Sequence, residues 1–188
     1  MSLVLASGSP RRKELLALIT PDFVVRPSGV DESAITAPTP AQLALALGTA
    51  KCLDIAAQAA GGDTVVGCDT VVECGGEVFG KPKSKEDARR MLRALAGADH
   101  YVHTGVCLAR GGERRSFTAT TRVRFYPLSG EQIEAYIATP EPYDKAGGYG
   151  IQGAAAVFCE GIEGCYYNVM GLPVARLARE LAAFGALG

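Results

Sequence analysis

Histidine and tryptophan are scarce in this chain: of its 188 residues none is tryptophan and two are histidine, His100 and His103. The two histidines lie three residues apart in ADHYVHTGV, whose alternation predicts a β-strand. Residues three apart on a strand point to opposite faces, so we expect ordinary structural histidines and no shared metal. A Ser-His-Asp or Cys-His hydrolase would need one of them, which weighs against that class of enzyme.

The six cysteines form no C-x-x-C pair, which speaks against a zinc knuckle or a thioredoxin-like motif. Hydrophobic residues make up 48% of the chain and charged residues 21%, the balance of a globular protein. A chain of this length and composition can build its core without disulfides, so we expect reduced, mostly buried thiols. The length predicts a single domain over residues 1–188.

The sequence has neither an excess of charge of one sign nor a long apolar run. Lys and Arg total 19 against 20 for Asp and Glu, which argues against a nucleic-acid binder but not against a small anionic ligand. No stretch approaches the roughly 18 apolar residues of a membrane span. The basic residues 11–13 follow the first apolar run, whereas a secretory signal places them before it. We therefore expect a cytoplasmic protein without a nucleic-acid or membrane partner.

The order of the predicted elements indicates an α/β fold around a mixed sheet flanked by helices. Strands are predicted at residues 2–6 and around Val24, and a hairpin over 64–79. Two long strands are expected around the Gly111–Gly112 turn, and a second hairpin over 154–169. Serine N-caps predict helices from Pro10, between Ser84 and Gly97, and after Ser129. Asp87 is expected to complete a capping box with Ser84. Two further helices are predicted over Pro40–Ala59 and Pro173–Phe184.

The turn SGSPRR between the first strand and its helix is a candidate anion site. Backbone N–H groups and the positive end of the helix dipole point to such a turn, and Ser7 and Ser9 add hydroxyls. Arg11 and Arg12 add permanent charge that can grip phosphate oxygens in pairs. The alternative is a capped helix with a solvated basic first turn, although cations there oppose the dipole.

Three charged residues stand in apolar or restricted surroundings. Lys51 lies on an otherwise apolar helix stripe, where it either extends its ammonium into solvent or is held for a ligand. Asp69 falls inside the run VVGCDTVV, where an unpaired carboxylate is costly; the apparent break between two strand-like pieces favours function over a water-facing strand edge. Lys81 precedes Pro82, which restricts it to extended backbone.

The segment EPYDKAGGYGIQG combines charged residues with many glycines. Such a backbone suits close wrapping of a small ligand, and the amide of Gln152 can read a base edge as donor and acceptor. The alternative is a loose surface loop.

Taken together, these segments resemble the Maf family, specifically its dTTP/UTP pyrophosphatase branch. The matching pieces run in family order over nearly the whole chain: LASGSPRRKELL, the VDE turn, the segment ending in Lys51, the segment with Asp69 and Thr70, GKP with Lys81, HTGV, EPYDKAGGYGIQG and YYNVMGLP. Cys68 and Cys52 depart from the small residues usual beside Asp69 and Lys51, which bears on oxidant sensitivity more than on activity.

The resemblance implies a nucleoside triphosphate pyrophosphatase that cleaves between the α and β phosphates and clears surplus or modified nucleotides. It implies the fold of the inosine triphosphate pyrophosphatases, with two lobes and a central cleft, and such proteins are often homodimers. A divalent cation, Mg²⁺ or Mn²⁺, is implied as cofactor. Two alternatives stay open: a pyrophosphatase for 7-methyl-GTP or purine nucleotides, and a nucleotide-binding regulator of cell division and septum formation.

The resemblance also suggests roles for individual residues. Asp69 matches the position of the proton acceptor in this family, and Arg11, Thr70 and Gln152 match positions associated with selection of the nucleobase in this branch. A triphosphate needs positioning and charge neutralisation above all, so we expect Arg12, Lys51 and Lys81 on the phosphates, assisted by Ser7 and Ser9. Asp69 is expected to bind the metal, to activate water, or both, with Glu32 as second metal ligand.

Overall fold

The computed structural model describes residues 2–187, and over that range the chain forms seven β-strands and six α-helices. Short 3-10 helices occupy Glu32–Ala34, Glu141–Asp144, Ala146–Gly148 and Ala154–Phe158. In chain order the regular elements are β1 (Leu3–Leu5), α1 (Pro10–Ala17), β2 (Val24–Val25), α2 (Pro40–Ala56), β3 (Thr64–Cys74), β4 (Glu77–Phe79), α3 (Lys85–Leu95), β5 (Asp99–Arg110), β6 (Glu113–Phe125), α4 (Gly130–Ile137), β7 (Cys159–Glu163), α5 (Tyr166–Met170) and α6 (Val174–Ala183).

The strands form one seven-stranded sheet in the order β2-β1-β3-β5-β6-β7, with β4 paired to β3 beside this path. β1 runs parallel to both β2 and β3, with Val4 opposite Val24 and Val65. β3 pairs antiparallel with β4, and β6 pairs antiparallel with β7. The expected mixed sheet in an α/β fold is therefore confirmed.

The chain divides into two compact units. The first takes in the chain up to Thr70, residues Thr104–Ala119 and the chain from Gly171 onward. The second takes in Val71–His103 and Thr120–Met170. The long strands β3, β5 and β6 each contribute residues to both units.

In the first unit, helix α2 lies directly on the backbone of β3 and β5. A Cβ atom at Gly48 would lie 2.5 Å from the carbonyl oxygen of Gly105, and one at Gly67 would lie 2.4 Å from the amide nitrogen of Cys52. A Cβ at Gly105 would lie 2.3 Å from the carbonyl of Ala44. Real Cβ atoms essentially never come within 3.0 Å of such neighbours. Glycine at these three positions is thus required for α2 to approach the sheet so closely.

The core of the second unit is formed by α3 and α4 packed against sheet residues. It centres on fully buried side chains such as Leu92, Phe125 and Ile137. Arg89 of α3 and Glu134 of α4 form an ion pair at the edge of this core.

Local sequence signals fix the starts of three helices as predicted. The hydroxyls of Ser9 and Ser84 accept hydrogen bonds from the backbone at the starts of α1 and α3, and Ser129 forms a full capping box with Gln132. Positive φ angles at Gly75 and Gly76, and at Gly111 and Gly112, make the two turns between strands.

Four details of the sequence prediction are wrong. β3 is continuous through Asp69, so the expected break there does not exist. Helix α2 ends at Ala56, before the predicted Ala59. The Asp87 carboxylate accepts from the backbone N–H of Lys83, so the predicted capping box is not closed on Ser84. The predicted second hairpin is a 3-10 helix, one strand and a helix, because β7 pairs with the distant β6 and not with its own neighbour.

Candidate active site

The turn between β1 and α1 is ordered by its own serine hydroxyls. Ser7 is buried, and its Oγ accepts from the backbone N–H of Ser9 at 3.3 Å. Ser9 in turn caps α1 by accepting from the backbone N–H of Arg12 at 3.5 Å. Arg11 and Arg12 follow in the first turn of the helix, both half-buried. The sequence prediction of a capped helix start with basic residues is therefore confirmed, and the caps place Arg12 next to Ser7.

The guanidinium of Arg12 donates from all three of its nitrogen atoms. Nε binds the carbonyl of Gly171 at 3.0 Å, Nη1 binds Ser7 Oγ at 3.3 Å, and Nη2 binds Thr70 Oγ1 at 3.0 Å. All these acceptors are neutral, so they orient the group without neutralising its charge. A guanidinium held in this way can still attract an anion.

A second cluster of charge lies where α2 faces β3. Nζ of Lys51 is 2.5 Å from Oδ1 of Asp69 and 2.8 Å from Oε1 of Glu32. The side chains of Lys51 and Asp69 are 14% and 12% exposed, whereas that of Glu32 is 53% exposed. Of the two alternatives for Lys51, extension into solvent is thus wrong: its ammonium is held between two carboxylates.

The ionisation of Lys51 follows from these contacts. Burial alone would lower the pKa of Lys51, but the charge of Asp69 and the hydrogen bonds to Asp69 and Glu32 outweigh burial and raise it. Lys51 is therefore a cation at neutral pH.

Asp54, one turn after Lys51 on α2, anchors the segment that carries Glu32. Its Oδ2 accepts from the hydroxyl of Ser28 at 2.6 Å and from the backbone N–H of Gly29 at 3.1 Å. The sequence reasoning missed this role, although the three-residue spacing between Lys51 and Asp54 placed both on one helix face.

The thiol of Cys68 lies within reach of the charges of both clusters. Burial raises its pKa, the charges of Arg12 and Lys51 act in the opposite direction, and the charge of Asp69 raises the pKa further. This thiol is fully buried, as is that of Cys52. All six cysteines are free, and three of them are buried. The expectation of reduced thiols holds for all six, and that of burial for half of them.

Two predicted site residues, Lys81 and Gln152, belong to the second unit, and both are exposed. Their segments are held by neighbours in that unit. The backbone N–H of Gly147 donates to the carbonyl of Gly80 at 3.0 Å, and a Cβ at Gly148 would lie 2.9 Å from Pro82. Gly147 and Gly148 of the segment EPYDKAGGYGIQG thus pack against the segment that carries Lys81.

The charged residues of that same segment bind within the second unit. The carboxylate of Glu141 accepts from the hydroxyl of Tyr136 at 2.9 Å and from the backbone N–H of Ala154 at 3.0 Å. Nζ of Lys145 donates to the carbonyl of Glu141 and to Asp144. A Cβ at Gly153 would lie 2.3 Å from the Glu141 carboxylate. These contacts tie the loop to itself, so the loose-loop alternative does not describe it.

The two histidines make separate structural contacts in the second unit. Nε2 of His100 lies 2.8 Å from the hydroxyl of Tyr149, and Nδ1 of His103 lies 2.9 Å from the hydroxyl of Thr120. Burial lowers the pKa of His100 to about 4. Both histidines are thus ordinary partners of a hydroxyl, as the sequence predicts.

The first unit therefore joins two groups of predicted residues through the neighbours Asp69 and Thr70 of β3. The first group is Arg12 with Ser7 and Thr70, and the second is Lys51 with Glu32 and Asp69. Sequence reasoning missed Thr104, whose hydroxyl lies 2.9 Å from that of Thr70. It also missed Gly171, whose carbonyl binds Arg12. The only sequence signal for Thr104 was its place in the strand HTGV.

Known proteins of similar sequence cover the chain almost completely. A family model described as Maf-like protein matches residues 2–184. A Carboxydothermus hydrogenoformans protein named dTTP/UTP pyrophosphatase is 48% identical over 98% of this chain and 100% of its own. A protein of the same name from Pyrococcus furiosus is 45% identical over 92% of this chain and 90% of its own.

Solved structures of similar fold are much more distant in sequence. The Ham1 protein of Staphylococcus aureus aligns with a TM-score of 0.54 at 16% identity, over 98% of this chain and 100% of its own. A HAM1 protein of Coxiella burnetii aligns with a TM-score of 0.52 at 13% identity, over 96% of this chain and 98% of its own. These likenesses show a shared fold. Within residues 2–187, no helix combines the length and the hydropathy that a membrane span requires.

Proposed function

This chain belongs to the Maf-like protein family, and from that premise we propose that it hydrolyses dTTP and UTP to the nucleoside monophosphate and pyrophosphate. The relatives named dTTP/UTP pyrophosphatase support this proposal because they align over nearly the full length of both chains. The activity would remove surplus or modified pyrimidine nucleotides from the pool. The observation that carries the proposal is a guanidinium fixed by neutral acceptors and a nearly buried Lys51–Asp69 pair, linked along the chain by the consecutive residues Asp69 and Thr70.

We assign the phosphates of the substrate to Arg12 and Lys51. A triphosphate carries close to four negative charges, and more charge develops on the leaving pyrophosphate. Arg12 meets that charge with an orientation fixed before the substrate arrives, which is how preorganised cations stabilise a transition state. Ser7 and Ser9 stabilise the turn between β1 and α1, which positions Arg12. Lys81, exposed in the second unit, is proposed as a further phosphate cation.

Asp69 is the proposed proton acceptor for the attacking water. Its contact with Lys51 keeps the carboxylate in place on β3, and the low exposure of both side chains strengthens their interaction. Lys51 remains cationic, so a phosphate oxygen can compete with the carboxylates for its ammonium. Binding of the substrate would then release Asp69 for the proton.

The carboxylates of Asp69 and Glu32 suit a divalent cation. Both converge on one ammonium group, and both offer the oxygen ligands that Mg²⁺ and Mn²⁺ prefer. Within residues 2–187 no group of three or more His, Cys, Asp or Glu could hold a metal, so substrate phosphates would complete the ligand set. When bound, the cation supplies charge neutralisation and lowers the pKa of water. Lys51 contacts both carboxylates and so keeps them close to each other.

Base recognition is assigned to Gln152 and Arg11. The amide of Gln152 is exposed at the end of a segment that is fixed by its own charged residues, so it can present donor and acceptor to a base edge. Thr70 fits this role less well, because its hydroxyl already binds Arg12 and Thr104.

We further propose that residues 1–188 act as one domain of this family, since the family model runs through both units. A cytoplasmic location is supported by six free cysteines. A homodimer stays a prediction of the resemblance.

A screen for pyrophosphate release over canonical and modified nucleoside triphosphates, with and without Mg²⁺ or Mn²⁺, tests the proposed function. We expect release from dTTP and UTP in the presence of a divalent cation. Preference for purine or 7-methylated nucleotides would overturn the substrate assignment, and no release from any nucleotide would overturn the enzyme assignment.

A further inference from the structure

We propose that Thr104 is a positioning residue that orients Arg12 for the phosphates by holding the hydroxyl of Thr70. The three residues form a chain of hydrogen bonds in the first unit. Nη2 of Arg12 lies 3.0 Å from Thr70 Oγ1, which lies 2.9 Å from Thr104 Oγ1. The inference rests on the proposed function, because it assigns to Thr104 a part in binding the phosphates of that substrate.

Arg12 depends on its hydrogen-bond partners more than an ion-paired arginine does. Among residues 2–187 it forms no ion pair with a carboxylate, so neutral acceptors alone set its direction. Lys51 is the contrasting case, because two carboxylates hold its ammonium and oppose its charge. Loss of one neutral acceptor therefore leaves the charge of Arg12 unchanged and loosens its orientation.

The hydroxyl of Thr70 alone would support Arg12 only weakly, because a hydroxyl with a single hydrogen bond can rotate. A threonine hydroxyl has one hydrogen and two lone pairs, and arginine can only donate, so Arg12 occupies one lone pair of Thr70. The bond to Thr104 then engages either the hydrogen or the second lone pair of that hydroxyl, so two bonds set its orientation whichever threonine donates. Thr104 is fully buried on β5, next to β3 in the sheet, whereas Thr70 is partly exposed. The buried residue is the fixed end of the chain.

Binding of inorganic pyrophosphate, measured by calorimetry, tests this role without any turnover. Thr104→Val removes the hydroxyl at nearly constant volume, and we expect pyrophosphate to bind about three- to tenfold more weakly, the effect of one lost hydrogen bond. Thr104→Ser restores the hydroxyl and is expected to bind within about twofold of the original chain.

Thr64→Val is the matched control. Thr64 lies on β3 like Thr70 and is buried, but its hydroxyl has no hydrogen-bond partner among residues 2–187. The same substitution there is expected to leave binding of pyrophosphate unchanged. A melting temperature for each variant shows that the chain is folded.

A double-mutant cycle separates positioning from a general packing effect. In a chain with Arg12→Lys, which lacks the planar fork, Thr104→Val is expected to change pyrophosphate binding by less than about 1.5-fold. Unchanged binding in Thr104→Val, failure of serine to restore it, or an equal effect in both backgrounds would each overturn the inference. Failure of the proposed function has a different signature, namely no release of pyrophosphate from any nucleotide by the unaltered chain.

Discussion

Lys51 on α2 and Asp69 on β3 form an ion pair with 2.5 Å between Nζ and Oδ1, although both side chains are largely withdrawn from solvent. Removing one partner of such a pair leaves the other charge poorly solvated and uncompensated. The pair is therefore sensitive to any substitution that alters charge at either end, and it gives the first test of the proposed mechanism.

Asp69→Asn is expected to reduce kcat by at least about a hundredfold, because an amide cannot take a proton from water. Binding of pyrophosphate should persist, because Arg12 keeps its charge and Glu32 still compensates the charge of Lys51. Steady-state kinetics with UTP and calorimetry with pyrophosphate check the two parts. Asp63→Asn is the control, since Asp63 accepts only from the backbone of Ser2 in the described contacts and should leave kcat unchanged. Near-normal turnover in Asp69→Asn would contradict the assignment.

Substitution of Gln152 by alanine is expected to change the ratio of kcat/KM for UTP to that for purine nucleotides. The amide offers both a donor and an acceptor, and a site built to hydrogen-bond a base discriminates through those bonds. Competition assays with paired nucleotides measure the ratio. Gln58→Ala is the control, since Gln58 is an exposed glutamine that lies just after α2 in the first unit. An unchanged ratio in Gln152→Ala would remove this residue from base recognition.

Asp54→Ala should release the segment around Glu32 from α2, because it deletes the acceptor for Ser28 and Gly29. We expect faster hydrogen exchange over residues 28–34 and a higher Mg²⁺ concentration for half-maximal activity, with little change in kcat at saturating metal. Asp54→Asn keeps an acceptor oxygen and serves as the matched control. Equal exchange rates in Asp54→Ala and the unaltered chain would show that Asp54 does not anchor the segment.

His100 makes the free energy of unfolding depend on pH. Its folded pKa is about 4, whereas an unfolded histidine titrates near its ordinary value of 6.5. The unfolded state therefore binds the proton first, and stability is lost as pH falls from 6.5 towards 4, by roughly 3 kcal/mol at pH 4. Urea unfolding of the unaltered chain and of His100→Gln at several pH values gives the free energy of unfolding of each. The difference between the two pH profiles is the contribution of His100. Identical profiles would contradict the prediction.

Local chemistry made most of the fold predictable. Serine caps, the Gly-Gly turns and the amphipathic face of α3 act within a few residues, so the sequence reports them directly. The region 154–169 was misread because β7 depends on β6, which lies far away along the chain. In that region Asn168 is buried and donates to Val102 and Thr121, contacts that no local pattern reveals.

The candidate site was predictable in its residue types but not in its contacts. The apolar surroundings of Asp69 signalled a functional carboxylate, since an unpaired one would be costly there, whereas those of Lys51 left extension into solvent open. The contacts of Lys51 with Asp69 and Glu32, and the support of Arg12 by Gly171, join positions that only the fold brings together. The glycines at 67 and 105 did carry a signal, because glycine inside a strand often marks a close backbone approach.

The backbone contact of α2 at Gly48, Gly67 and Gly105 has a consequence for the temperature behaviour of the pair formed by Lys51 and Asp69. Contacts made through side chains drift as warming populates other rotamers, whereas this contact contains no rotatable bond. The Cα atoms that carry the two charges are thus held at a nearly constant separation while the first unit is folded. We expect the distance between these two Cα atoms to stay nearly constant up to the unfolding transition and to be lost there in a single step.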